Sequence, residues 1–358
     1  MVTYAILANP GHNRVYFDAS KELSLAELEI ASQAFSTDCG NIRCEEVAGI
    51  LYYMLDAGEM LTHREVGILS RLSFCYAIFT AGTADEGEKI LRPVRKADAA
   101  FFNPSVSTIL KYSGKTNELF TRTMLNAALY SSDFAKSDDR ICLLDPISGK
   151  GTTLYEGLVC GFDVSGMEIG ESAVHDACVY FKNYLETERI KHSYHAERLS
   201  GEGKSYRAKV NTFTFASSKD ERKDPSKLRH LTMVAGDSRF TDRYFKKNSF
   251  HILVGDLPYG VAHGNVAGNW KGPDGKSSTS LTRNPKELLA ACLPAWRKVL
   301  KSGGTLALSW NVFVLPKREL AEIVAENGFS VLSEGPYDKF EHRVDQAIKR
   351  DILIARKS

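Results

Sequence analysis

In the second part of the chain, short apolar runs at Ile141 to Leu144, Phe162 to Met167, Leu231 to Val234, Phe250 to Val254 and Thr305 to Trp310 alternate with stretches whose apolar residues recur at helical spacing. Strands alternating with helices predict a mostly parallel sheet covered on both faces, an α/β fold. The helix ahead of the fifth strand is well marked. Pro285 opens it, Leu288, Leu289, Cys292 and Trp296 share one face, and Lys301-Ser302-Gly303-Gly304 reads as its stop. The first 98 residues read instead as a small α+β unit. Strands at Tyr4 to Leu7 and Arg14 to Phe17 flank a turn at Gly11 to Asn13, and a helix begins at a capping box of Ser24 and Glu27. Further strand-like and helical segments include Ala48 to Leu55 and Arg71 to Phe79. The Arg92 to Asp98 stretch is the expected boundary.

A length of 358 residues with 43% hydrophobic and 25% charged content fits a globular protein of two domains, 1–98 and 99–358. No apolar run reaches the roughly 18 residues of a membrane helix, and the N-terminus lacks the pattern of a leader, so no membrane partner and a cytoplasmic location are expected. The seven cysteines are scattered and read as reduced thiols. With no second Cys or His pair near Cys39 and Cys44, no metal is implied. Net charge is +2, but residues 189–247 hold 15 Lys and Arg against 7 Asp and Glu, which leaves the rest of the chain net acidic. A basic segment of this kind suits a phosphate backbone as well as a solvated face.

The chemistry is written at the strand ends. After the first strand of the larger domain, Asp145-Pro146-Ile147-Ser148-Gly149-Lys150-Gly151-Thr152-Thr153 leads into a helix, a turn in which Gly149 and Gly151 admit a ligand close to the backbone. A nucleoside-triphosphate loop is excluded by spacing. The required upstream glycine falls on Ile109 for Gly114-Lys115-Thr116 and on Leu144 for Gly149-Lys150. The third glycine of a dinucleotide fingerprint falls on Leu154, which weakens a dehydrogenase reading. Glu168, with Ile169 beside it, ends the second strand where a carboxylate can accept the hydroxyls of a ribose. Asp237 and Ser238 follow the third, where Asp237 can accept an adenine amino group or cap a helix. The fourth strand ends in Asp256-Leu257-Pro258-Tyr259-Gly260. An exocyclic amine has its lone pair conjugated into the ring. Asp256 and the carbonyl of Leu257, held by Pro258, can accept its hydrogens and free that lone pair, while Tyr259 stacks on the base.

These motifs resemble those of the class I, Rossmann-like S-adenosylmethionine-dependent methyltransferases, and among them the amino-methyltransferases whose fourth motif reads Asp/Asn-Pro-Pro-Tyr/Phe. Leu257 replaces the first proline, as in a variant of the THUMP-associated tRNA guanosine-N2 methyltransferases. The resemblance covers roughly residues 100 to 358 and, more weakly, the start of the chain, which leaves little room for a complete THUMP module. It implies a seven-stranded mixed sheet whose last strand, Asp351 to Ala355, is antiparallel, and a ferredoxin-like N-terminal domain. It also implies S-adenosyl-L-methionine as cofactor and a helix, including Lys115, Thr116 and Phe120, against the methionine part of that donor. The expected activity is N-methylation of a nucleobase amine, guanosine N2 in tRNA first, with RNA as partner and an activating subunit left open. Adenine-N6 methylation of DNA or RNA, and an RNA-binding relative without turnover, are the alternatives.

Two segments are expected to choose the substrate. Val261 to Asn284, rich in Gly, Ser, Thr and Asn and carrying Trp270, follows Tyr259 and reads as a lid. An insertion at about 192–229 contains an alternating segment, Tyr206 to Phe215, and the basic run Lys219 to Arg229. That run, through Lys219, Arg222 and Lys223, is expected to hold a nucleic-acid backbone.

Overall fold

The computed structural model describes residues 1–9, 14–85, 87–97, 100–112, 114–201, 206–216, 220–258 and 285–358, with only the backbone over 14–20. The N-terminal part follows the order β1 (Val2–Ala8), α1 (Arg14–Ser32), β2 (Cys39–Val47), β3 (Ile50–Ala57), α2 (His63–Arg71), β4 (Cys75–Thr83) and β5 (Lys89–Val94). Its strands lie in the order β2-β3-β1-β4-β5, every neighbouring pair antiparallel. Two expectations fail here. Residues 14–17 are helical, not a strand, and Ser24 lies in the middle of α1 rather than at its start. Glu27 does not turn back to cap the helix. Its buried carboxylate accepts from the Ser73 amide at 2.9 Å and from Asn126 Nδ2 at 2.6 Å, and so ties α1 to the segment after Arg71 and to the helix Glu118–Tyr130. The capping box sits instead at Thr62 and Glu65, ahead of α2.

The remaining chain runs α3 (Ser105–Thr108), α4 (Glu118–Tyr130), β6 (Cys142–Asp145), α5 (Thr152–Val159), β7 (Asp163–Glu168), α6 (Glu171–Thr187), β8 (His192–Ser200), β9 (Arg207–Phe215), β10 (Arg229–Ala235), α7 (Thr241–Tyr244), β11 (Phe250–Asp256), α8 (Pro285–Val299), β12 (Leu300–Asn311), α9 (Lys317–Glu326), β13 (Phe329–Leu332), β14 (His342–Arg343) and β15 (Lys349–Lys357). The sheet has ten strands in the order β13-β15-β12-β11-β6-β7-β10-β9-β8, with β14 beside β15. The expected count of seven is exceeded because the insertion forms a hairpin, β8 and β9, that extends the sheet past β10, and because β14 adds two residues to β15. Strands β10, β7, β6, β11 and β12 are mutually parallel, and β15 is antiparallel to β12 and β13. The Gly303-Gly304 pair does not separate helix from strand. It lies inside β12 as a bulge, where the register with β11 jumps from Leu300 to Thr305.

Both faces of the parallel strands are buried, which explains their continuous apolar runs. Leu143, Val164, Ile252 and Val254 face the side of α4, α5 and α6, where the core continues into Tyr4, Leu28 and Tyr53 of the N-terminal sheet and helix. Leu144, Met167, Leu253 and Leu308 face the other way, against Leu289 and Trp296 of α8 and Val324 of α9. Among the described residues no helix is long and apolar enough to cross a membrane.

Candidate functional site

Because β10, β7, β6 and β11 run the same way, their C-terminal ends meet at one edge of the sheet. The strand order reverses there between β7 and β11, on either side of β6, and such a reversal opens a crevice. A cavity of about 170 Å³ fills it, lined by Pro146, Ile147, Glu168, Ile169, Asp237, Ser238, Arg239, Asp256 and Pro258, with Leu288 and Ala291 of α8 closing one side.

The turn from β6 to α5 is anchored before any ligand arrives. Ser148 donates its amide to Met167 O at 2.7 Å, Gly151 donates to Ser148 O at 2.8 Å, and Ile147 donates to Asp145 Oδ1 at 3.0 Å. Gly149 and Gly151 hold φ of 51° and 91°, a backbone region that residues with a Cβ rarely adopt. Gly166 on β7 permits the approach of this turn, since a Cβ there would lie 2.6 Å from Leu154 Cδ1 and 2.7 Å from Ser148 Oγ. Thr152 and Thr153 are buried at the start of α5, and Thr153 bonds to the Asp145 carboxyl. The Thr152 hydroxyl meets that of Tyr112 at 2.8 Å.

The acids fall into distinct settings. Glu168 is gripped by the backbone, Gly149 N donating to Oε2 at 3.1 Å and Gly170 N to Oε1 at 2.8 Å. Burial nevertheless holds its carboxyl above the ordinary range. Asp237 Oδ1 accepts from Arg239 N at 2.9 Å, the capping role, while Oδ2 receives the Arg239 guanidinium through Nε at 2.9 Å and Nη2 at 2.6 Å. Asp256 Oδ2 accepts from Thr116 Oγ1 at 2.5 Å. Asp145 is deepest. Burial pushes its carboxyl up to about 7, with Asp256 and Glu168 nearby adding to the effect. Its folded value lies above the ordinary 3.8, so the stability its protonated form contributes is complete below that value and is lost as pH rises through about 7. Chemical denaturation across that window should show falling stability in the native chain and a flatter profile in Asp145→Asn; identical slopes in both would show that another group is responsible.

The structure brings Glu168, Ile169, Asp237, Ser238, Asp256, Pro146 and Pro258 to one wall. Ser238 is itself locked, donating to Pro146 O at 2.7 Å and accepting from Trp296 Nε1 at 2.9 Å. Leu257 is buried in the core, and its amide donates to Ser309 O at 2.8 Å, which fixes the peptide after Asp256. Lys115 and Phe120 are not brought to the cavity. Lys115 Nζ donates to the carbonyls of Ser107 and Leu110 and pairs with Glu118, and Phe120 is buried between the Arg350 guanidinium, 4.6 Å from its ring centre, and the His342 ring. Tyr259, Trp270, the whole of 261–284 and Lys219 lie outside the described residues, as does Asp98 at the expected boundary. Sequence reasoning missed Arg239 and Tyr112. The first was legible as a cation two residues beyond a strand-end acid, whereas nothing near Tyr112 in the chain announces its contact with Thr152.

The described part of the basic run after β9 lies away from the cavity. β10 starts at Arg229 and climbs toward Asp237, so Arg229 and the residues just before it sit at the opposite end of the strand, eight residues or about 26 Å from the cavity. Lys223 is paired with Asp220 at 3.1 Å, and the Arg229 guanidinium lies 4.5 Å over the Phe101 ring.

No protein-family model matches the chain, and no curated protein does. Among solved structures it is similar to TrmN from Thermus thermophilus, at 11% identity over the whole of both chains and a TM-score of 0.43. It is also similar to TehB from Haemophilus influenzae, at 14% identity over 63% of this chain and 60% of that one, with a TM-score of 0.33. An rRNA methylase from Streptococcus thermophilus is 12% identical over 69% of this chain and 99% of its own, with a TM-score of 0.33.

Proposed function

We propose that this chain is an S-adenosylmethionine-dependent N-methyltransferase acting on an exocyclic amine of a nucleobase, with guanosine N2 in tRNA or another RNA the first substrate to test. The observation that carries the reading is the convergence of Glu168, Asp237 and Asp256, from three different strand ends, on one cavity. The residues present suit the cofactor. Glu168 offers a carboxylate already oriented by two amides, Ile147 and Ile169 offer apolar faces for a base, and Gly149 and Gly151 leave the turn open to close approach. When bound, S-adenosylmethionine supplies a methyl group already activated on a sulfonium.

The chain's own residues then have three tasks. Glu168 holds the ribose. Asp237 takes the adenine edge once its second oxygen is shared with or released by Arg239. Asp256, oriented by the Thr116 hydroxyl, accepts a hydrogen of the target amine and loosens the conjugation of its lone pair. The fixed amide of Leu257 holds the next peptide in register for its carbonyl to accept the second hydrogen. The carboxylates crowded here favour a cationic ligand, and Asp145 ionises as pH rises through about 7, so affinity for S-adenosylmethionine should increase across that range. Asp145→Asn should flatten the dependence, and a steep profile persisting in that variant would remove Asp145 from the site.

The β-α-β-β-α-β order of the first 83 residues, with β1 between β3 and β4, supports a ferredoxin-like accessory domain at 1–98 beside a catalytic domain at 99–358. The identity of the base is tested by supplying labelled S-adenosylmethionine with pooled RNA and DNA, digesting to nucleosides and weighing the product. A methylated guanosine carrying the label on N2 is expected. Label on adenine N6 would redirect the substrate while keeping the chemistry, and saturable cofactor binding with no label in any nucleoside would leave the non-catalytic reading.

A further inference from the structure

The insertion that lengthens the sheet also carries charge to the edge of the cavity, at its upper end and not along the basic run that the sequence advertises. β8 and β9 pair so that Arg198 stands directly opposite Lys209, and Ser200 opposite Arg207. Directly opposed residues of an antiparallel pair project from the same face, so all three cations share one side of the hairpin, together with Tyr194 and Asn211. They are exposed, and among the described residues none of the three is within ion-pair distance of a carboxylate. Two like charges directly across a ladder weaken it.

These cations line a groove of about 670 Å³ that runs along the hairpin to the loop after β10. Its lining includes Ile169 and Asp237, both also part of the cavity at the strand ends, so the two spaces adjoin across these residues. Acids are present too: Glu171 lines the groove, and Asp237 is matched by Arg239. The surplus of positive charge rests on Arg198, Arg207 and Lys209. A positively charged groove therefore lies directly beside the cavity at the strand ends.

We propose that the groove between the β8–β9 hairpin and the β10 edge binds the sugar-phosphate backbone of the nucleic-acid substrate, with Arg198, Arg207 and Lys209 neutralising successive phosphates. This rests on the reading of the adjoining cavity as a nucleobase methylation site. A polyanion bound there would relieve the Arg198 and Lys209 repulsion, so binding would stabilise the hairpin. Direction follows as well, because a backbone held along the hairpin enters the cavity past Asp237, on the side away from α4.

The test uses the full chain and fluorescein-labelled total tRNA, with anisotropy read between 50 and 200 mM salt. Three proteins are compared: the native chain, Arg198→Ala/Arg207→Ala/Lys209→Ala, and Arg222→Ala/Lys223→Ala at the far edge of the sheet. Loss of three phosphate contacts should weaken binding by about tenfold or more and flatten the log-log salt dependence by about two to three. The far-edge variant should bind like the native chain. The triple variant should unfold at the same or a higher denaturant concentration, since a repulsive pair has been removed, and calorimetry should find its affinity for S-adenosylmethionine unchanged. Equal affinity and salt slope in the triple variant would overturn the proposal. So would an equal loss in the far-edge variant, a native chain that fails to bind tRNA, or one that binds polyglutamate in its place. Failure of the native chain to bind S-adenosylmethionine, with the RNA result as expected, would instead overturn the catalytic reading and leave the groove standing.

Discussion

Replacing Asp256 with alanine is expected to lower kcat for methyl transfer by about 10² to 10³, the size of effect seen when one preorganised hydrogen-bonding partner of a transition state is lost. Affinity for S-adenosylmethionine should stay within about threefold, because in this reading Asp256 serves the amine and not the donor. The variant has a second readout. Asp256 is one of the charges that raise the Asp145 carboxyl, so its removal should move the midpoint of the pH dependence of cofactor binding downward from about 7. Thr116→Val, which keeps Asp256 but removes the hydroxyl that orients it, should give a smaller loss in kcat of about tenfold, the equivalent of one hydrogen bond. A catalytic defect in Thr116→Val as large as that of the Asp256 variant would mean that Asp256 acts only by holding the segment before α4.

Replacing Glu168 with alanine is expected to act on binding instead. Its carboxylate is preoriented by Gly149 and Gly170, and hydrogen bonds to a charged acceptor contribute about 1.5 to 3 kcal/mol, so the dissociation constant for S-adenosylmethionine should rise by about 10- to 100-fold. With cofactor raised to saturation, kcat should recover to within a few-fold of the native value. Glu168→Gln retains one acceptor oxygen and should fall between the two. An undiminished affinity in Glu168→Ala would show that the ribose is held elsewhere. The amides of Gly149 and Gly170 lose their partner in this variant, so some loss of stability is expected beside the loss of affinity, and thermal unfolding separates the two.

Much of this arrangement is legible in the chain before any coordinates. Strands buried on both faces are written as uninterrupted apolar runs, and the ends of β6, β7, β10 and β11 fall within two residues of where those runs stop. Local patterns mislead where a side chain has a tertiary partner. Ser24 and Glu27 have the spacing of a cap, yet Glu27 is drawn into the contact with Ser73 and Asn126, and α1 continues ten residues further back. Gly303 and Gly304 have the composition of a helix stop, but the pairing with β11 absorbs them as a bulge. Charge is the least legible property. The run from Lys219 to Arg229 is the densest basic stretch, but the direction of β10 sets its described part at the end of the strand away from the cavity. Arg198, Arg207 and Lys209, separated in sequence by the hairpin turn, are gathered beside Asp237 only by strand pairing. The Asp237 and Arg239 pair is likewise invisible as a pattern, since an acid and a base two residues apart face each other only when the backbone turns between them.

Calorimetric titration of the purified chain with S-adenosylmethionine tests the central claim most directly. Binding of one equivalent per chain is expected, competed by S-adenosylhomocysteine, unaffected by NAD, and weakened in Glu168→Ala. Absence of saturable heat, or competition by NAD with no dependence on Glu168, would contradict the assignment of the cavity at the ends of β6, β7, β10 and β11.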